Sequence, residues 1–243
     1  MHPSQLLQPV EHVMALQLVI GNKNYSSWSM RPWVLMRQLG IDFEERALRF
    51  DFAPDSAFRQ AVAAVSPAGR VPVLLDGDFA VWDTLAITEY LHERFATVGV
   101  WPDEAKARAR ARSLCAEMHA GFSALRSQCP MNIEAQLHAV GARLWHEQPA
   151  LRTDVARIES MWAQALGDSG GPFLFGAFGA VDAFYAPVCM RLKCYALPLS
   201  TTSRTYIDRV AAAPGVAAFI AAALAEHDFL DFEEPYRQGP DPR

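Results

Sequence analysis

The chain has 243 residues, of which 51% are hydrophobic, and its 27 acidic and 22 basic side chains give a formal net charge of −5. This hydrophobic content excludes a disordered chain, and no apolar run reaches the roughly eighteen residues that span a bilayer. The net acidity argues against a nucleic-acid-binding protein, which needs a basic face to neutralise phosphates. The sequence therefore predicts a globular protein of one large or two modest domains, with neither a nucleic-acid nor a membrane partner.

The cysteines and the N-terminus indicate the compartment. The four cysteines show neither C-x-x-C spacing nor a His–Cys pattern that suits zinc, and they are too few for a disulfide scaffold in a chain of this length. Residues 1–14 lack the basic start and the continuous apolar segment of a signal peptide, so we interpret them as an N-terminal extension. We expect a cytoplasmic protein without a metal ion.

The first hundred residues predict alternating strands and helices. Residues 16–20 form a short apolar run that is typical of a buried strand. The following helix would be capped by Ser29, which places Pro32 in its first turn. Asp76-Gly77 is a hairpin signal between two apolar runs. The later elements are expected in the order strand, helix, strand, strand and helix, at residues 43–50, 55–64, 71–75, 79–81 and from Asp83 onward.

This order, β-α-β-α-β-β-α, predicts an α/β domain over residues 15–97, with a parallel crossover first and an antiparallel edge last. Beyond residue 102 there is no convincing strand, and apolar residues recur at helical spacing in five stripes. These stripes predict an all-helical second domain over residues 103–232, followed by a tail at 233–243. The stripes cover residues 114–125, 133–144, 155–166, 181–192 and 216–224.

A proline stands at the entrance to a buried strand in Arg70-Val71-Pro72. Proline cannot donate to a strand ladder, so it belongs at the start or the edge of a strand. If the Val71–Pro72 bond is cis, the main chain of Val71 is free to pair with an extended, peptide-like ligand. An ordinary turn into the strand is the alternative.

Asp83 and Thr84 stand at the start of a predicted helix, and both residue types are preferred N-caps. No Glu or Gln follows three residues after either of them, so no capping box occupies their side chains. A free helix N-terminus binds anions. Thr84 would hold a carboxylate there and Asp83 an ammonium, which together make the head group of an α-amino acid; simple capping is the alternative.

Serines precede the first predicted helix in Tyr25-Ser26-Ser27-Trp28-Ser29-Met30-Arg31. Such serines are usually caps, and the functional alternative is a hydroxyl directed at a ligand near the helix N-terminus. No Gly-x-Ser-x-Gly elbow surrounds them and no acid–base partner follows from the spacing. The sequence therefore disfavours a Ser-His-Asp hydrolase.

Together, these three motifs resemble the glutathione transferase superfamily over about residues 16–232. The serine run resembles the zeta and tau motifs S-S-C-S-x-R and S-P-F-x-x-R, and Arg70-Val71-Pro72-Val73-Leu74 resembles [KRQ]-V-P-x-L with its cis-proline. Asp83-Thr84-x-Ala86-Ile87-x-x-Tyr90-Leu91 is similar to the segment that holds the γ-glutamyl group. Residues 178–187 resemble the folding motif of the second domain, with Gly179 in place of the usual Ser or Thr cap.

The resemblance implies a thioredoxin-like N-terminal domain, an all-helical C-terminal domain, a homodimer, and glutathione as the co-substrate of a small electrophile. Ser26 aligns with the catalytic serine, and Ser27 is its neighbouring alternative. A hydrogen bond to a charged group contributes about 1.5–3 kcal/mol, so one hydroxyl can lower the pKa of the thiol by one or two units. The implied glutathione-binding residues are Arg70, Val71, Pro72, Asp83 and Thr84.

The second substrate is expected between the domains, against the first long helix of the second domain. His119 and Arg126, seven residues apart on that predicted helix, would suit an acidic or polar acceptor, whereas a solvated helix face is the alternative. The candidate pocket residues are Trp28, Met118, His119, Phe122 and Arg126.

Trp28 stands where the zeta class has cysteine, which argues against the zeta-type isomerase reaction. The absence of a cysteine from this loop also argues against a thiol reductase, which would form a mixed disulfide. Two alternatives to a transferase stay open: a glutathione-dependent isomerase, and a non-catalytic module of the same fold in protein interaction or stress response.

Overall fold

A computed structural model describes residues 15–239, so the predicted extension 1–14 and residues 240–243 of the predicted tail lie outside the described residues. One mixed sheet has the strand order β2-β1-β3-β4. Its strands are β1 (Gln17–Ile20), β2 (Glu44–Ala47), β3 (Val73–Asp76) and β4 (Phe79–Val81). Strand β1 is parallel to β2 and antiparallel to β3, and the β3–β4 hairpin forms the antiparallel edge.

Three helices alternate with these strands, and the predicted order β-α-β-α-β-β-α is confirmed. They are α1 (Ser27–Gln38), α2 (Ala57–Ala63) and α3 (Thr84–Arg94). After residue 102 the regular elements of the described chain are helices, as predicted, although there are seven of them rather than five, and isolated β-bridges join Phe173 to Gly176 and Phe175 to Ala177. These helices are α4 (Ala105–Ala120), α5 (Ser123–Gln128), α6 (His138–Glu147), α7 (Pro149–Ser169), α8 (Ala180–Cys194), α9 (Thr201–Ala212) and α10 (Pro214–Glu226), followed by a 3₁₀ turn at Asp231–Glu233.

The prediction of one continuous helix over residues 114–125 is wrong, because α4 ends at Ala120 and α5 begins at Ser123. Phe122 lies between them in the left-handed region, with φ of 54°. The side chain of Arg126 donates to the carbonyl oxygens of His119 (3.2 Å) and Gly121 (3.3 Å). It thereby satisfies acceptors that the end of α4 leaves free.

Helix α1 starts three residues earlier than predicted, since Ser26 and not Ser29 is its N-cap. The Ser26 Oγ accepts the Ser29 N–H at 3.4 Å, so Pro32 lies inside the helix rather than in its first turn. An interior proline removes one helical hydrogen bond. Burial compensates, because α1 packs against α3, α8 and α10. A Cβ atom at Gly215 of α10 would stand 2.8 Å from the Val34 oxygen, so glycine permits this approach.

Helix α8 lies at the centre of the helical half, and every residue of it except Lys193 is buried. Its Asp182 carboxylate accepts hydrogen bonds from the Gly179 N–H (3.1 Å), the Leu174 N–H (3.2 Å) and the Tyr206 hydroxyl (2.8 Å). Gly179 has no side chain to cap the helix, but Asp182 still bonds back to the cap N–H. Burial raises the pKa of Asp182 to about 6.

Within residues 15–239, no single helix is both long and apolar enough to cross a membrane. Helices α9 and α10 meet the criteria of length and composition only when taken as a pair, which is bent by 75°.

The Asp182 network gives a testable stability difference. We expect Asp182→Ala to lower the free energy of unfolding by about 2–3 kcal/mol at pH 7, because three buried donors lose their acceptor. The pKa of Asp182 in the folded chain exceeds that of an unfolded aspartate, so the stability that this carboxyl contributes declines as pH rises through 6. The loss should therefore be larger at pH 5, by about 1 kcal/mol.

Urea unfolding at the two pH values measures this difference. Asp208→Ala, which removes an exposed carboxylate paired with Lys193, is the control and should cost less than about 1 kcal/mol. An equal loss at pH 5 and pH 7 would show that the Asp182 carboxyl does not titrate in this range.

Candidate functional site

Two adjoining cavities open at the N-terminal end of α1. The larger cavity has a volume of about 740 Å³ and the smaller cavity about 340 Å³. Four residues line both of them, namely Trp28, Arg70, Val71 and Arg126. These residues come from α1, from the loop before β3 and from α5, so the site lies where the sheet domain meets the helical half.

Ser26 and Ser27 both line the larger cavity. The Ser26 Oγ lies 2.7 Å from the Ser29 Oγ, which accepts the Gly21 N–H at 3.1 Å. In this arrangement the Ser26 hydroxyl donates to Ser29 Oγ, and the Ser26 oxygen accepts the Ser29 N–H. Rotation of the Ser26 hydroxyl about its Cβ–Oγ bond would direct the proton at an acceptor in the cavity instead.

Ser27 has a different partner, because its Oγ accepts a hydrogen bond from Arg191 Nη2 at 3.1 Å. Arg191 comes from α8 and also donates to the carbonyl oxygens of Cys129 and Arg126. Burial lowers the pKa of Arg191 to about 10. Sequence reasoning missed this residue, and the signal that marks it is an arginine on a helix that is otherwise apolar around most of its circumference.

Val71 and Pro72 form one side of the smaller cavity, and the peptide bond between them is cis. Val71 stands two residues before β3 and lies outside the ladder. Its main-chain N–H and C=O have no hydrogen-bond partner in the described part of the chain. Arg70 is exposed at the rim shared by both cavities.

The N-terminus of α3 forms another side of the smaller cavity. Asp83 is the N-cap, and its Oδ1 accepts the Leu85 N–H at 2.9 Å. Its Oδ2 stays on the cavity side, 3.2 Å from His119 Nε2. Thr84 is buried, and its Oγ1 finds no hydrogen-bond partner among residues 15–239. The smaller cavity therefore presents a carboxylate at a helix N-terminus, with the unpaired Thr84 hydroxyl buried beneath its surface, and this combination fits an α-amino acid head group.

His119 and Arg126, which sequence reasoning paired around a second substrate, both line the smaller cavity, where His119 faces Asp83. Burial lowers the pKa of His119, and the Asp83 carboxylate opposes this shift. A neutral imidazole donates its Nε2–H to Asp83. The ring also packs edge-on against Trp28, with 5.0 Å between the ring centroids.

Trp28 contacts two guanidinium groups. The guanidinium carbon of Arg31 lies 4.1 Å from the Trp28 ring centroid, and that of Arg126 lies 5.2 Å away. Arg31 also lies over Phe184 at 4.8 Å, and it is only 2% exposed. Burial, and after it the charge of Arg126, lowers the pKa of Arg31 to about 9. The Arg31 Nε and Nη1 atoms have no hydrogen-bond partner in the described structure.

Met118 and Phe122, predicted for the second-substrate pocket, are buried in the hydrophobic core and line neither of these two cavities. An aromatic wall lines the larger cavity instead, formed by Phe50, Phe52 and Phe58. Sequence reasoning missed this wall. The available signal was the presence of three phenylalanines within nine positions around a predicted loop and short helix.

The segment after α10 packs against the loop that leads into α1. The Tyr25 hydroxyl donates to Glu234 Oε1 (2.8 Å) and accepts the Leu230 N–H (3.3 Å). Glu234 is buried and also accepts from Asn132 (2.8 Å) and Arg237. Residues 233–239, which sequence reasoning assigned to a tail, are therefore held against the site as far as the structure describes them.

No group of three or more His, Cys, Asp or Glu side chains within residues 15–239 is arranged to hold a metal ion.

Two protein-family models match the chain, "Glutathione S-transferase, N-terminal domain" over residues 25–94 and "Glutathione S-transferase, C-terminal domain" over residues 104–222. A glutathione transferase homolog from Burkholderia, solved with bound glutathione, superposes with a TM-score of 0.65 at 23% identity. The superposition covers 86% of this chain and 98% of that one.

Curated relatives match shorter stretches. Dichloromethane dehalogenase of Methylorubrum extorquens is 37% identical over 67 residues, which are 27% of this chain and 23% of that protein. A stringent starvation protein A homolog of Histophilus somni is 20% identical over 183 residues, 73% of this chain and 81% of the relative. The match spans less than half of the relative's own length in two dichloromethane dehalogenases and in glutathione S-transferase 1 of Dianthus caryophyllus.

The Tyr25–Glu234 contact can be tested with Tyr25→Phe. We expect a free energy of unfolding lower by about 1–3 kcal/mol, because the buried Glu234 carboxylate loses a donor and the Leu230 N–H loses its acceptor. Trypsin should also cleave faster after Arg237, which pairs with Glu234. Tyr90→Phe, which removes a hydroxyl bonded to Asp76 at the sheet edge, is the control. Unchanged cleavage after Arg237 in Tyr25→Phe would contradict this role of the contact.

Proposed function

The chain belongs to the glutathione S-transferase superfamily, and we propose that it binds glutathione and activates the thiol for attack on a small electrophile. The observation that supports this most is the Ser26 hydroxyl at the N-terminus of α1. It lines the larger cavity, where rotation of the hydroxyl would redirect its proton from Ser29 Oγ to a ligand.

In this proposal, glutathione lies along the smaller cavity. The carboxylate of the γ-glutamyl group accepts from the N–H groups at Thr84 and the start of α3, and the ammonium of the same group donates to Asp83. The cysteinyl main chain pairs with Val71, beside Pro72, where no ladder hydrogen bond competes. Arg70, at the rim, attracts the glycine carboxylate.

This placement brings the sulfur to Ser26. A free thiol has a pKa of about 8.5, and only its thiolate attacks electrophiles well. The Ser26 hydroxyl donates a hydrogen bond to the thiolate, and the N-terminal end of the α1 dipole adds a favourable field. The thiol proton leaves to solvent. The sulfur then forms a bond to the electrophilic carbon, and the leaving group departs with its electron pair.

Displacement is the reaction that we favour. The name of the dehalogenase relative describes removal of a halogen, which is a displacement at carbon. The non-catalytic module is the second candidate. The match to the stringent starvation protein A homolog favours it, since this match extends over most of the chain.

Three further assignments complete the proposal. The family resemblance implies a homodimer and a cytoplasmic location. The glutathione-binding domain would comprise residues 15–97 and the helical domain residues 103–232.

Replacing Ser26 tests the proposed thiol activation. We expect Ser26→Ala to raise the pKa of glutathione in the complex by one to two units, because the thiolate loses a hydrogen bond of about 1.5–3 kcal/mol. The pH dependence of the ultraviolet absorbance of the thiolate measures this midpoint. Ser27→Ala should shift this midpoint less, because the Ser27 oxygen already accepts a hydrogen bond from Arg191.

An unchanged midpoint in Ser26→Ala would contradict the assignment, and a larger shift in Ser27→Ala would transfer the role to Ser27. Retention of the wild-type chain on immobilised glutathione, without turnover of any electrophile in a broad panel, would favour the non-catalytic module.

A further inference from the structure

The larger cavity has an excess of positive charge. Arg70, Arg126 and Arg191 line it, and the one acidic residue among its described lining residues is Glu233. Burial raises the pKa of Glu233, and the charge of Arg191 opposes this shift. Arg31 adds a further cation nearby, since Arg126 and Arg191 both act on it electrostatically.

Within the described chain no carboxylate forms an ion pair with Arg31 or Arg191, although Asp83 acts electrostatically on Arg31 and Glu233 interacts with Arg191. Arg191 is only 7% exposed, and the partners found for its guanidinium are two carbonyl oxygens and the Ser27 hydroxyl, none of which carries a full negative charge. Arg31 is more deeply buried still and has two donor nitrogens without partners among residues 15–239. Buried cations without an anionic partner are costly. An anion that enters the larger cavity would recover part of that cost.

Arg126 is placed to receive this anion. Its Nη1 is held by the carbonyl oxygens at the end of α4, and its guanidinium lies over Trp28. Its Nε and Nη2 atoms have no partner in the part of the chain that the structure describes. One edge of a guanidinium whose position is already fixed therefore remains open, and such an edge pairs with both oxygens of a carboxylate.

Another part of the lining of the larger cavity is apolar. Phe50, Phe52 and Phe58 contact one another, with ring centroids 5.3–5.6 Å apart. Phe52 is 45% exposed, although large apolar side chains are usually buried. A flat apolar ligand would cover this wall.

We propose that the second substrate is an aromatic or similarly apolar electrophile that carries a carboxylate, with the carboxylate bound by Arg126 in the field of Arg191 and Arg31. This inference rests on the proposed function. It assigns the carboxylate to Arg126 without His119, because His119 bonds to Asp83 and does not line the larger cavity. The two carboxylates of glutathione are already assigned to Thr84 and Arg70, so neither of them occupies Arg126.

A matched pair of substrates tests the proposal: 4-chloro-3,5-dinitrobenzoate, and its methyl ester as the neutral control. In both, the glutathione sulfur forms a bond to the ring carbon, the carbon–chlorine bond breaks, and chloride leaves with the electron pair. The kcat/KM for each substrate is divided by its uncatalysed rate constant with glutathione. The ratio of the two normalised values is the carboxylate preference.

We expect the wild-type chain to prefer the carboxylate at least about tenfold, and Arg126→Gln to lower this preference about tenfold to a hundredfold. Arg126→Lys should recover only part of it, because lysine keeps the charge but lacks the planar fork. Arg110→Gln, on the exposed face of α4 and outside both cavities, should leave the preference unchanged.

Three results would overturn the inference. The first is a wild-type chain without a carboxylate preference. The second is an equal loss with both substrates in Arg126→Gln, which would assign Arg126 to the thiol. The third is a weaker affinity of Arg126→Gln for glutathione itself, which would assign Arg126 to glutathione.

Binding of the two products distinguishes failure of this inference from failure of the proposed function. The glutathione conjugates of the benzoate and of the ester are titrated against the wild-type chain and Arg126→Gln, with tryptophan fluorescence as the readout. Tighter binding of the benzoate conjugate, lost in Arg126→Gln, supports the carboxylate site even if neither chloride is displaced. Equal binding of the two conjugates contradicts it.

Discussion

The N-terminal turn of α1 fixes the position of the residues around which both cavities are built. The Ser26 cap ends the loop from β1, and the Ser29 hydroxyl ties that turn back to Gly21 beside the strand. The body of α1 is buried against α8 and α10, so the turn has little freedom to move. The sheet domain therefore fixes where the Ser26 hydroxyl stands, while the helical half builds the cavity in front of it.

The helical half also places buried positive charge beside the cavity in front of Ser26. Desolvation lowers the pKa of Arg31 and of Arg191, and Arg126 adds to the effect on both. Each of these cations lies against carbonyl oxygens, a hydroxyl or aromatic rings rather than a carboxylate. Burying cations without a carboxylate partner is costly. Their presence around a cavity is understandable if the ligands that enter it are anions.

Much of the fold could be predicted from local sequence patterns, but the lining of the larger cavity could not. Alternating apolar runs and the Asp76-Gly77 turn predicted the order of strands and helices, because those signals act over a few residues. The helix break at Phe122 was not predicted, because the apolar spacing continues through it. The roles of Arg191 and Glu234 were not predicted for another reason. Their partners lie 164 and 209 positions away, at Ser27 and Tyr25, and no local pattern encodes such contacts.

If the Ser26 hydroxyl holds the glutathione sulfur, the peptide extends from Asp83 past Val71, and a crystal structure of the complex with glutathione will show it. We expect the sulfur within hydrogen-bonding distance of Ser26 Oγ, with the Ser29 N–H still bonded to that oxygen and the γ-glutamyl group at the N-terminus of α3. A sulfur atom bound to Arg126 or Arg191 and away from Ser26, or glutathione lying elsewhere on the chain, would contradict this assignment.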